Sequence, residues 1–187
     1  MKKMSGKRVA ILATHGFEQA ELEVPLKKLQ DAGATVDVVS PEKSEIKGWD
    51  SKDWGHPVKV DRNLAEVSAD DFDAIVLPGG QINPDLLRVN AQALVFIRAF
   101  FDQKKVVAAV CHAPWLLIET GIIKGRKATS YRSIKTDVIN AGGKWKDSPV
   151  VTDQGVITSR QPSDLDAFSA KIIEEVAEGS HTQRSAA

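Results

Sequence analysis

Apolar residues fall along this chain in short dense runs, separated by longer segments in which they recur every three or four positions. The runs Arg8 to Thr14 (RVAILAT), Ala34 to Val39 (ATVDVV), Ala74 to Leu77 (AIVL) and Val106 to Val110 (VVAAV) have the length and β-branched content of strands. The last is apolar throughout, as in a strand buried on both faces. Between them lie helical patterns. Glu21 to Ala32 sets Leu22, Pro25, Leu26 and Leu29 on one face and stops at Gly33, with Pro25 expected to bend it near its start. Ala91 to Gln103 sets Leu94, Val95, Ile97 and Phe101 inward. Strand and helix in alternation predict a doubly wound α/β sheet of parallel strands joined by right-handed crossovers.

The remaining segments are less regular. Ser40 to Val60 is polar and reads as irregular, with Val58 to Val60 a short edge strand and Asn63 to Val67 one helical turn. After Gly121 the pattern predicts a short strand from Lys127 to Ser130 and a helix from Ile134 to Asn140 closed by Gly142-Gly143. Val150-Val151-Thr152 and Val156-Ile157-Thr158 flank Asp153-Gln154-Gly155, a three-residue hairpin signal. Ser163 reads as the N-cap of a last helix that buries Leu165, Phe168, Ile172, Ile173 and Val176. The small polar tail from Gly179, with His181, reads as frayed.

Composition narrows the function. A length of 187 residues suits one domain over 1–187, with an ordered core of about 8–178 and a tail at 179–187. Twenty-five basic residues balance 25 acidic ones, so there is no net field to draw nucleic acid or a membrane surface. A single cysteine excludes an internal disulfide and a cysteine-rich zinc site, and no histidine or carboxylate cluster suggests a metal. The basic start from Met1 to Arg8 leads into only a short apolar run, so a cytoplasmic protein is expected.

That cysteine stands where chemistry is expected. Cys111 follows the Val106 to Val110 strand and precedes Pro114, which suits the first position of a helix ending at Gly121. The partial positive charge of a helix N-terminus favours the thiolate, so the thiol is predicted to ionise readily. Ala109 and Ala113 let the turn close, giving a nucleophile elbow with cysteine in place of serine. A buried core cysteine accounts for the same position, but His112 beside it favours chemistry.

In an open parallel sheet, sites form beyond the carboxyl ends of the strands. Three such ends carry unusual residues: Glu18, Gly79-Gly80 and Cys111-His112. The His112 N–H and an N–H of the glycine pair, assigned to Gly80, are candidates to hold the charge on an attacked carbonyl oxygen, although Gly-Gly after proline is also an ordinary turn. Glu18 has two readings. It is one charge of a solvated helix start with Glu21 and Glu23, or it points into the crevice and holds the proton of the thiol's hydrogen bond. His15 and Gly79 are candidates to line the substrate pocket; His56, with Trp54, lines its mouth or covers the sheet edge.

Several segments together resemble a known family. They are Gly16-Phe17-Glu18-Gln19-Ala20-Glu21-Leu22 with Pro25, Phe72-Asp73-Ala74-Ile75-Val76-Leu77-Pro78-Gly79-Gly80, Val110-Cys111-His112-Ala113-Pro114, Gly125-Arg126-Lys127-Ala128-Thr129-Ser130-Tyr131, Asn140-Ala141-Gly142-Gly143 and Val156-Ile157-Thr158-Ser159-Arg160. The chain is similar to the DJ-1/PfpI superfamily, in its branch of PfpI-like intracellular proteases and general stress proteins. The resemblance implies a flavodoxin-like three-layer sandwich with a mainly parallel central sheet, related to the class I glutamine amidotransferases. It implies Cys111 as nucleophile, His112 as its base, Glu18 as the carboxyl that meets the thiol, and Asp85 of the partner subunit orienting His112. Many members have glutamate where this chain has Asp85, one methylene shorter. Where the amidotransferases carry a His-x-Glu pair, this chain has Gln161-Pro162-Ser163, so glutaminase activity is not expected.

The activity implied is cysteine-dependent, hydrolase or lyase in type, on small carbonyls such as methylglyoxal and on glycated adducts, or on peptides. No cofactor is needed, and a homodimer or a higher oligomer such as a hexamer is expected. The alternative is a stress protein in which oxidation of Cys111 is the signal and chaperone-like protection the output.

Overall fold

The computed structural model describes residues 3–179. Its elements in chain order are β1 (Arg8–Leu12), α1 (Gln19–Asp31), β2 (Thr35–Ser40), β3 (Glu45–Asp50), β4 (Asp53–Lys59), β5 (Arg62–Asn63), β6 (Ala74–Leu77), α2 (Ile82–Leu87), α3 (Ala91–Asp102), β7 (Val106–Val110), α4 (Pro114–Glu119), β8 (Lys127–Ala128), α5 (Lys135–Asn140), β9 (Lys144–Trp145), β10 (Val150–Asp153), β11 (Val156–Ser159) and α6 (Leu165–Glu178). Seven strands form the central sheet in the order β10-β11-β7-β6-β1-β2-β5. Every pairing is parallel except β10 with β11.

The pleat sends alternate side chains to opposite faces. Ala10, Leu12, Ile75, Leu77, Val107 and Ala109 meet Phe96, Ile97 and Phe100 of α3 and Leu116 and Leu117 of α4. On the other face Val9, Ile11, Val76, Ala108 and Val110 meet Leu22 and Leu29 of α1 and Phe168 and Ile172 of α6. Both faces are therefore covered, which is the three-layer sandwich. Each large side chain so buried contributes about 1.5–3 kcal/mol. The chain leaves β1 toward β2 on one side and later returns to β6 on the other. The β1 and β6 ends thus flank the switch point where a crevice opens.

Several boundaries depart from expectation. Ser40 to Val60 is not irregular: β3 and β4 pair as an antiparallel hairpin outside the main sheet. It is tied to the loop after β1 by Gly16 N–H donating to Lys47 O and Trp49 N–H donating to Phe17 O. On α3, Val95 points outward at 70% exposure, and Phe96 and Phe100 take the inward stripe. Pro25 is buried within an unbroken α1. The strand expected at Lys127 to Ser130 shortens to two residues. The hairpin turn between β10 and β11 is Gln154-Gly155 alone, both at positive φ. Ser163 does not cap α6, because a 3-10 turn at Pro162–Asp164 comes first and Asp164 pairs with Arg160. The predicted tail, with His181, lies outside the described residues beyond Gly179. No helix among the described residues is long and apolar enough to cross a membrane.

Candidate active site

The sequence places a sharp turn at the end of β7, and there Cys111 takes φ +64, a left-handed conformation unusual for a residue with a side chain. Two bonds hold it: Cys111 N–H donates to Ser159 O at 3.0 Å, and Tyr131 N–H donates to Cys111 O at 2.8 Å. Strain maintained by its surroundings is characteristic of functional turns. The thiol is only 6% exposed, yet it lines a cavity of about 530 Å³. Its Sγ lies 3.1 Å from His112 Nδ1. The other ring nitrogen, Nε2, is 3.1 Å from Ser133 Oγ, and the ring stacks on Tyr131 at 4.9 Å. Burial lowers the His112 pKa, favouring the neutral imidazole.

Below the sulfur is a buried carboxyl, Glu21, on the first turn of α1. Its Oε2 accepts the Gly79 N–H at 2.7 Å, and it interacts with the Cys111 thiol. Its Oε1 is buried without a partner. A carboxylate with an unpaired oxygen in the interior is costly, and burial pushes the Glu21 pKa up to about 8. Burial also pushes the Cys111 thiol up, as does an ionised Glu21, whereas the Gly80 and His112 N–H groups pull it down. At neutral pH Glu21 keeps its proton, so its opposition to the thiolate is removed. A low thiol pKa therefore does not follow from the end of α4, a helix of six residues; burial opposes it.

Glycines set the spacing. A Cβ on Gly79 would come within 2.8 Å of Cys111 Cβ and 2.7 Å of Val110 O. Gly80, at φ +73, packs so closely that a Cβ would overlap Gly16 O and Glu18 N. Gly80→Ala is accordingly expected to cost about 2–4 kcal/mol, read as a lowered Tm. A Tm within a degree or so of wild type would show that the β1 and β6 loops yield freely. Asn83 locks the same two loops, its Oδ1 accepting Thr14 N–H at 2.7 Å and its Nδ2 donating to Pro78 O at 2.9 Å.

A match to the DJ-1/PfpI family runs over residues 7–175. The chain belongs to the DJ-1/PfpI family. It is 42% identical over 166 residues to deglycase PfpI of Pyrococcus furiosus, covering 89% of this chain and 97% of that protein. To general stress protein 18 of Bacillus subtilis it is 41% identical over 166 residues, covering 88% and 94%. Among solved structures, Drosophila melanogaster DJ-1beta superposes with a TM-score of 0.85 at 31% identity, over 96% of this chain and 95% of that one.

On this DJ-1/PfpI frame the predicted site residues divide. Cys111, His112 and Gly80 come together as expected, with the Gly80 and His112 N–H groups aimed at the sulfur. Glu18 does not meet the thiol. It lies at the cavity mouth and accepts the Ser51 N–H, while Glu21, one helical turn on, takes the inner place. Gly79 is buried and its N–H is spent on Glu21, so it spaces the site rather than lining the pocket. His15 Nδ1 accepts the Lys47 N–H at 3.1 Å and thus pins the hairpin. His56 binds Glu23 on α1, away from the cavity lining. Asp85 is exposed on α2, and within this chain His112 Nε2 has Ser133 instead. Trp49, Ser51, Gln81 and Ser133 are not singled out by the sequence, and Tyr131 enters only as the end of a family segment, without a role at the site. Glu21 left a signal: it falls beside Leu22 and Pro25 on the apolar stripe of α1, an acid with no reason to be solvated there.

Proposed function

We propose that this protein is a stress-response enzyme that uses Cys111 to act on small electrophilic carbonyls and their adducts, in the manner of a glyoxalase or deglycase. One observation carries the reading: a lone, strained, cavity-facing thiol held 3.1 Å from a neutral histidine, with two backbone N–H groups and a protonated carboxyl around it. The names of its relatives, a deglycase and a general stress protein, support it. Cys111 gives its proton to His112 Nδ1, and Sγ attacks the aldehyde carbon of methylglyoxal. The carbonyl π pair moves to oxygen, where the Gly80 and His112 N–H groups receive it. His112 then moves the proton from the aldehyde carbon to the neighbouring carbonyl carbon through an enediol, Glu21 relaying hydroxyl protons, and water cleaves the resulting lactoyl thioester on Sγ to give lactate and return the thiol. Conversion of methylglyoxal and water to lactate exchanges oxidation level between two carbons of one molecule, so no external oxidant enters. A cavity of about 530 Å³ suits such a ligand better than a polypeptide segment. Incubation with methylglyoxal, and with its fresh adducts on N-acetylarginine, tests the reading: lactate release is expected, and its absence from both overturns it.

The site borders a face suited to a second copy of the chain. Ile82, Leu86 and Val89 are 40%, 49% and 82% exposed along and just after α2, which also carries Asp85, and Ile82 lines the cavity. The protein is expected to sediment at twice its 20.3 kDa chain mass or more, with Leu86→Asp shifting it toward monomer. A wild-type monomer would remove any role for Asp85 across subunits. The cytoplasm is the compartment in which this chemistry fits a protein with a single free thiol.

A further inference from the structure

The two acids at the start of α1 do different work. Glu21 is sealed under the sulfur. Glu18 stays partly exposed at the cavity mouth, anchored by the Ser51 N–H at the tip of the β3–β4 hairpin, where Ser51 is itself held at φ +58. Trp49 and Tyr131 line the same cavity, the Tyr131 ring stacked on His112 and Trp49 set edge-to-face with Trp54. None of the described lining residues is lysine or arginine. Burial and neighbouring Asp50 raise the Glu18 pKa; with His112 neutral and Glu21 protonated, Glu18 is the carboxylate of the lining that an entering molecule meets, with Asp50 adding to its charge.

We propose that Glu18 is the specificity-determining residue of this cavity, admitting neutral and cationic carbonyl compounds and rejecting anionic ones. The proposal rests on the functional reading above and names its substrate class: neutral dicarbonyls, and adducts carried on guanidinium or ammonium side chains, in preference to 2-oxo acids or phosphorylated aldehydes. A carboxylate several ångströms from a ligand charge, in a half-wet mouth, changes its local concentration by about tenfold per unit charge.

Cys111 is the chain's single cysteine, so its rate of chemical modification reads the potential at Sγ without any turnover. The probes are three methanethiosulfonates: a trimethylammonium cation, a neutral methyl compound and a sulfonate anion. In each, the thiolate forms a disulfide with the reagent's sulfenyl sulfur and displaces methanesulfinate. With rates normalised to a free small thiol, the cation is expected to react about a hundredfold faster than the anion at low salt. That ratio should shrink at about 0.5 M salt. It should fall about a hundredfold, to near one, in Glu18→Gln, which keeps an oxygen for Ser51, and invert in Glu18→Lys. A wild-type ratio near one, a ratio indifferent to Glu18, or a thiol that none of the three reaches overturns the proposal; the wild-type salt series needs no variant to fold. The same enzyme assayed with methylglyoxal against glyoxylate separates the two failures. Turnover with a flat labelling ratio sinks the role of Glu18 alone, and a charge-dependent ratio without turnover sinks the enzymatic reading alone.

Discussion

Cys111→Ala is expected to lower methylglyoxal turnover by about a thousandfold or more while the protein stays folded with a Tm close to wild type. The chemistry needs a bond to sulfur, and no other cysteine exists to substitute for it. Stability should barely change for three reasons. Alanine keeps the same positive-φ strain at position 111, the two backbone bonds to Ser159 and from Tyr131 are main-chain, and the lost atom faces a cavity rather than a packed interior. Cys111→Ser is a sterner control: its hydroxyl fills the same place and meets the same N–H groups, but its far higher pKa leaves it unable to ionise in this buried site. It too should be inactive. Lactate release by either variant within tenfold of wild type would mean that the strained thiol is structural. Loss of turnover together with a fallen Tm would instead mean that the sulfur holds the turn.

The parts of the site that could be read from sequence are those whose signal is local. Val106 to Val110 must be buried on both faces because it offers nothing polar to either. A strand that ends in Cys-His-Ala-Pro has little choice but to turn where it does. Val95 misled because an apolar side chain on a helix carries no label saying which side of the stripe it falls on. The β3–β4 hairpin was hidden more deeply. β4 is almost wholly exposed and contains Gly55 and Pro57, so neither alternation nor propensity marks it as a strand. What builds it is tertiary: the backbone bonds to the 16–18 loop, and the Gln19 side chain, which fills the space that a Cβ on Gly48 or Gly55 would take. The exchange of Glu18 for Glu21 has the same origin. Both are acids at a helix start, and only the packing of α1 against β2, β3 and α6, which turns Glu21 toward the Gly79 N–H, decides which is sealed in. Ser133 lies 21 residues beyond His112 and reaches it solely because Tyr131 returns to bond Cys111.

Glu21→Gln is the second large effect expected, a fall in kcat/KM of about a hundredfold with a changed pH profile. Two properties of one proton are at stake. With its pKa raised from 4.5 to about 8, the folded protein binds a proton at Glu21 that the unfolded chain has already lost. Stability from this group is therefore fully present below the unfolded value, declines as pH rises, and is gone once pH has passed about 8. Wild-type Tm should fall across that window through this contribution, and Glu21→Gln, neutral throughout, should flatten the fall. Activity follows the same proton. Below its pKa the Glu21 hydroxyl is available to the sulfur and the thiolate meets no like charge; above it, a second buried anion opposes ionisation of Cys111. Wild-type kcat/KM should thus show an alkaline loss with a midpoint near 8, and the glutamine variant should lack that limb. The distinction matters because a merely structural carboxyl would change Tm and leave the shape of the rate profile alone. Thiolate absorbance in the ultraviolet, read against pH with Cys111→Ser as blank, supplies the remaining link. Ionisation in Glu21→Gln should begin at lower pH than in wild type, since the variant never presents an anion to the sulfur. An unshifted thiol together with an unchanged alkaline limb would remove Glu21 from the chemistry and leave His112 as the partner that governs Cys111.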